Sequence, residues 1–133
     1  MTEPRNELSI FQKRMRSFRY AFEGISYVMR TQPNTRIHLL IMVIVIIVAL
    51  WLELTLLDWT LLVLAITIVW TAEFTNTAIE ALVDLASPEH HRLAKVAKDV
   101  SAGAVLVGAI GSVVVGLLVL APPLLLKIGF GPA

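Results

Sequence analysis

No cysteine occurs among the 133 residues, so neither a disulfide framework nor a thiolate metal site can form. Charge is scarce as well. Asp, Glu, Lys and Arg make up 16% of the chain, and none of them lies in residues 100–126. A helical bundle in water needs polar outer faces, which most of residues 37–126 lack, and this argues against a soluble fold. No G-x-x-x-x-G-K-[ST] phosphate loop is present, which excludes a P-loop kinase. No cleavable signal peptide is expected, because the polar N-terminus runs into a basic amphipathic stretch without a cleavage-like site. No nucleic-acid partner is expected.

What the chain does have is apolar length. Hydrophobic residues make up 57% of it and the mean hydropathy is +0.79, against about 45–50% apolar in an ordinary soluble chain. Three apolar runs stand out: residues 37–57, interrupted late by Glu53; residues 59–86, uncharged as far as Ala72; and residues 100–126, punctuated by Pro122 and Pro123. Each is long enough for the roughly 30 Å of hydrocarbon in a bilayer. The expected architecture is a single all-α integral membrane domain, residues 1–133, with transmembrane helices at about 37–57, 59–86 and 98–121. Ahead of them, Phe11, Met15, Phe18, Phe22, Ile25 and Met29 recur at helical spacing, with Lys13, Arg16 and Arg19 mostly off that face. This predicts an amphipathic helix at about 8–31 lying in the membrane interface, broken by Gln32-Pro33-Asn34. By composition alone a calmodulin-target-like or disordered basic tail is the alternative.

Ten of the eleven Lys and Arg residues lie before the first run or between the second and third. The positive-inside rule then predicts a cytoplasmic N-terminus and an external C-terminus. In the third run, small residues recur every four positions at Ala104, Gly108, Ser112 and Gly116, a spacing that lets helix backbones approach closely in lipid.

The second run carries the chemistry. Glu73, Asn76, Glu80 and Asp84 are spaced by three, four and four residues and fall within roughly 80° of one another around a helix. Ionisable groups in a membrane span are expensive and mark function by default. Counting from Trp59, Glu73 lies about 21 Å in and Glu80 about 32 Å in, at 1.5 Å per residue. Glu73 is thus expected at the height of a lipid hydroxyl, as a general base, and Glu80 and Asp84 at headgroup level, where carboxylates suit Mg²⁺. Lys98-Asp99 adds a cation for phosphate and a further acid. Together these are the parts of a phosphoryl-transfer site. The stripe alone leaves open a polar oligomer seam and a proton or cation conduit, hence a membrane scaffold or a proton-coupled transporter. His38 reads as an interfacial residue at the start of the first span, and His90-His91 as solvated loop residues.

These residues resemble the prokaryotic diacylglycerol kinase family, which includes the undecaprenol kinases. The resemblance extends from about Ser17 to Leu120. Its most specific part is Glu73-x-x-Asn76-Thr77-Ala78-Ile79-Glu80-x-x-Val83-Asp84, followed by Ala97-Lys98-Asp99 and Ala104-Val105. Phe18-x-x-Ala21-x-x-Gly24 and Asn34-x-Arg36-Ile37-His38 look more like the undecaprenol kinase branch. The resemblance implies a homotrimeric, ATP-dependent lipid kinase of the bacterial plasma membrane, with Mg²⁺ as cofactor and active sites between subunits. Its acceptor would be undecaprenol, with diacylglycerol as the alternative. Glu73 would be the catalytic base, Asn76 would position substrate or phosphate beside it, and Lys98 would hold the transferred phosphate. Glu80 would carry Mg²⁺ with the ATP phosphates. Asp84 and Asp99 would support the nucleotide pocket, with Glu89 and His91 on the adenine side. One position departs: where the family usually has a second metal-binding glutamate, this chain has Gln32, which offers a neutral oxygen and no charge.

Overall fold

The computed structural model describes residues 9–87, 89 and 91–129. The chain forms α1 (Ile10–Thr31), α2 (Pro33–Trp51), α3 (Leu56–Ala86) and α4 (Arg92–Lys127), with no strand among the described residues. The last three are long and apolar enough to cross a membrane. This is the all-α architecture that the apolar runs indicate.

Local chemistry sets the helix ends. Ser9 and Gln12 form a capping box at the start of α1, each side chain bonding the other's backbone N–H. Leu8, at the start of the expected amphipathic helix, lies outside the described residues. Phe11, Phe18 and Phe22 of the apolar face are left exposed by the bundle. Arg19 donates to Glu23 at 2.7 Å, and this hydrogen bond, aided by Coulombic attraction, raises the guanidinium pKa above its ordinary value. Only one residue separates α1 from α2. Gln32 ends the first helix by donating its N–H to Val28 and stands as N-cap of the second, with Pro33 at the first helical position.

The second helix both starts and stops earlier than the apolar run. Glu53 adopts a left-handed backbone, φ 56°, and a Schellman motif closes α2 there. The Leu54 N–H reaches the Ala49 carbonyl at 3.4 Å, and the Glu53 N–H reaches Leu50 at 3.2 Å. Leu54 also packs against the core around Ala49, Leu62 and Val119, which supplies the hydrophobic contact that accompanies such a motif. A Thr55–Asp58 capping box then opens α3.

The third and fourth helices, at 31 and 36 residues, are about 46 and 54 Å long, so both exceed the hydrocarbon layer. The excess holds most of the charge. The fourth helix begins before its apolar run, with His91 as N-cap, and continues through Pro122 and Pro123 to Lys127. There the lost backbone donors fall in the last turns, and the Lys127 ammonium donates to the Trp51 carbonyl and sits 4.9 Å from its ring centroid.

The third and fourth helices share the most extensive contact in the chain. The small-residue stripe of α4 makes it possible: Ser112 donates to the Ala65 carbonyl at 3.0 Å, and Gly108 brings its backbone against Ile68.

Relief of the left-handed strain gives a direct check on the turn. Glu53→Gly is expected to stabilise the chain by about 1 kcal/mol, read as a raised thermal midpoint in detergent micelles. An unchanged or lowered midpoint contradicts this account of the α2 terminus.

Candidate active site

One face of α3 buries Leu62, Ala65 and Val69 and then, without changing direction, Glu73, Asn76 and Thr77. The polar stripe is thus the lower half of a packing stripe. Exposure rises along it: Glu73 is 3% exposed and Asn76 8%, whereas Glu80 is half-buried and Asp84 exposed.

Around these residues the helices leave two polar clefts. The deeper, of about 320 Å³, is lined by Gln32, Asn34, Ile37 and His38 from the α1–α2 joint and α2, by Glu73, Asn76 and Glu80 from α3, and by Ala102, Val105, Leu106 and Ala109 from α4. Within it, Asn76 Nδ2 donates to Glu80 Oε1 at 2.9 Å and Gln32 Nε2 donates to Glu80 Oε2 at 3.1 Å. Ser101 Oγ donates to Asn76 Oδ1 at 2.7 Å and also lies 2.9 Å from the Lys98 carbonyl. With its oxygen held by a hydroxyl donor, the Asn76 amide is fixed with its nitrogen toward Glu80.

Glu73 has a different neighbour. His38 Nε2 lies 3.1 Å from Glu73 Oε1, but without the alignment of a hydrogen bond, so this buried oxygen has no hydrogen-bond partner. Desolvating a carboxylate oxygen and leaving it unpaired is costly. An unpaired carboxylate beside a cleft is a chemical candidate for proton acceptor.

The second cleft, of about 560 Å³, lies where the overhanging ends of α3 and α4 meet. Asp84, Glu89, His91, Lys98 and Asp99 all line it, with Ser87, Arg92 and Lys95. Lys98 pairs with Asp84, and Lys95 with Asp99 at 2.8 Å. The ammonium of Lys95, fully exposed, is raised in pKa by that hydrogen bond and by attraction to Asp99. His91 accepts the Leu93 N–H at Nδ1, so that nitrogen caps α4. Its neighbour His90 lies outside the described residues. The site therefore divides: Glu73, Asn76, Glu80 and Gln32 share the deeper cleft, Lys98 stands in the shallower one, and Ser101 bridges them through Asn76 and the Lys98 backbone.

Sequence reasoning missed two residues. His38, interfacial by its place at the start of the first span, also touches Glu73 across the α2–α3 contact. Ser101 carried no signal except its position one turn after Lys98-Asp99, on the α4 face that meets α3.

Among the described residues, no three His, Asp or Glu side chains converge as a metal cage. A Mg²⁺ ion brought with phosphates does not need one, since it takes one or two protein oxygens and fills its octahedron with phosphate and water. The Glu80 carboxylate suits that role; Gln32 turns its amide nitrogen to Glu80 Oε2, and its oxygen would join only with the amide turned over.

Comparison with known proteins identifies the family. The family model for prokaryotic diacylglycerol kinase matches residues 19–120. A diacylglycerol kinase from Synechocystis is 48% identical over 82% of this chain, which spans 63% of that protein's length. An undecaprenol kinase from Bacillus subtilis is 42% identical over 90% of this chain and 95% of its own. A diacylglycerol kinase from Escherichia coli is 28% identical over 82% of this chain and 89% of its own. With three apolar helices and bacterial relatives named as lipid kinases, this bacterial membrane protein belongs to the prokaryotic diacylglycerol kinase family.

Proposed function

We propose that this chain is a lipid kinase that transfers the γ-phosphate of ATP to the hydroxyl of a membrane lipid alcohol, with undecaprenol as the acceptor. The observation that carries this reading is the unpaired Glu73 oxygen, buried beside the His38 end of an apolar groove. That groove, of about 440 Å³, runs from His38 to Leu124 between α2, α3 and α4. An isoprenoid or acyl chain lying along it would carry a terminal hydroxyl to the height of Glu73. Glu73 then takes the hydroxyl proton as the oxygen attacks the γ-phosphorus. Asn76, fixed by Ser101 and Glu80, orients the reacting groups. Lys98 stabilises phosphate charge from the adjoining cleft, where Asp84, Glu89, His91 and Asp99 surround the nucleotide.

Glu80 and Gln32 would hold Mg²⁺, which supplies charge neutralisation on the β- and γ-phosphates. Catalysis of this transfer is mainly positioning and charge stabilisation, and the two clefts divide that work. The charge distribution supports a cytoplasmic N-terminus, hence ATP entry from the cytoplasm, and an external C-terminus. A homotrimer, which the family resemblance implies, would complete the site between subunits.

The near end-to-end match to the Bacillus undecaprenol kinase supports undecaprenol. The 48% identity to the Synechocystis protein favours a second reading, diacylglycerol.

Reconstitution with labelled ATP and either lipid tests the proposal. Label is expected in the lipid product, faster with undecaprenol, and Glu73→Gln is expected to lower kcat by about 10²–10⁴-fold. Failure of both lipids to take label sinks the kinase reading, and faster labelling of diacylglycerol reverses the substrate order. A second measurement concerns the metal. Gln32→Glu adds a charged ligand beside Glu80 and is expected to lower the Mg²⁺ concentration for half-maximal rate by about tenfold. Activity that appears only in the Gln32→Glu variant would show that Glu80 alone is an insufficient metal ligand.

A further inference from the structure

A base that is 3% exposed has few exits for the proton it holds at the end of each turnover. Glu73 is covered by α4, and the side chains α4 presents to the deeper cleft are Ala102, Val105, Leu106 and Ala109, none of which can carry a proton. Thr77 bonds the Glu73 backbone carbonyl, not the carboxylate. One titratable side chain touches the carboxylate among the described residues. His38 Nε2 stands 3.1 Å from Oε1, and its side chain is 20% exposed, so it bridges the buried oxygen and the cleft. His38 also lines the apolar groove, at the point where groove and polar cleft meet.

We propose that His38 is the proton-relay residue that returns Glu73 to its basic form. This inference rests on the kinase reading and deepens it. In the transfer the acceptor O–H bond breaks and its proton goes to Glu73, while the acceptor oxygen forms a bond to the γ-phosphorus and the bond from that phosphorus to the bridging oxygen of ADP breaks. ADP leaves with the bridging electron pair. The proton then passes from the Glu73 carboxyl to the neutral His38 Nε2, and from the imidazolium to water in the cleft. The balance is one lipid alcohol and ATP in, one lipid phosphate, ADP and a proton out.

The charged and titratable groups that face His38 are few. Glu73 and, farther along the same face, Glu80 come from α3, and α4 offers none in the cleft. On His38's own helix, Arg36 is turned away, donating to the Met29 and Arg30 carbonyls of α1. No competing base lies against the ring in this set. At 3.1 Å the pair is within proton-transfer reach, and a small rotation of the ring brings Nε2 into line with Oε1.

The test uses the full chain reconstituted in lipid with ATP, Mg²⁺ and the lipid alcohol that wild type phosphorylates. His38→Gln keeps size and a hydrogen-bond donor but cannot shuttle a proton, and His38→Ala leaves room for added imidazole. Both are expected to lower kcat by about tenfold or more, with KM for ATP and lipid within about twofold of wild type. Added imidazole is expected to restore rate to His38→Ala and not to Glu73→Gln. In His38→Gln the solvent deuterium isotope effect on kcat should rise, because proton exit becomes slow. A His38→Gln rate within twofold of wild type overturns the relay. So does slowing with no imidazole rescue and an unchanged isotope effect, which would make His38 a residue that merely positions Glu73. If His38→Ala does not fold, the isotope effect in His38→Gln decides alone. Absence of transfer by wild type itself would instead overturn the kinase reading.

Discussion

A carboxylate persists inside a lipid-spanning helix only where another helix takes it out of contact with lipid, and α3 depends on α4 for that service. The face of α3 that holds Glu73 and Asn76 also holds Leu62, Ala65 and Val69, so the polar groups are buried by the same packing that buries the apolar ones. That packing is close because α4 offers Gly108 and Ser112 where bulkier residues would keep the backbones apart. Placement of the chemistry and stability of the fold thus come from one interface.

Length does the rest. Because α3 and α4 outrun the hydrocarbon by several turns, the charges of Asp84, Lys98, Lys95 and Asp99 meet beyond the apolar layer as exposed pairs. Such pairs contribute little to stability, being screened by water and salt. They leave polar side chains free to exchange partners with an anion. A few turns along, the same two helices together with α2 enclose the Glu73 carboxylate beside the smaller cleft. The chemistry is graded by depth.

Much of this was legible in the sequence because periodicity reports faces. The spacing of Glu73, Asn76, Glu80 and Asp84 fixed a common face, and counting from Trp59 ordered them in depth. The apolar runs announced three spans, and Gln32-Pro33-Asn34 announced a break. Pairings between helices were not legible. His38 and Glu73 belong to different helices with a turn between them, and nothing in either run says which rotation brings them together. Ser101 is a common residue on a helix of small residues, distinguished only by what faces it. The end of α2 at Trp51 was hidden for another reason: the left-handed residue there is Glu53, where a glycine would have advertised the turn.

The single-residue joint at Gln32 has a mechanical meaning. Its backbone ends one helix and begins the next, while its side chain holds a carboxylate oxygen of Glu80. A rocking of α1 against the bilayer surface cannot be absorbed by a slack connection, since there is none. It must twist Gln32 and so shift the amide that meets Glu80. With no slack in the connection, the tilt of α1 and the position of the amide that meets Glu80 are coupled through one residue.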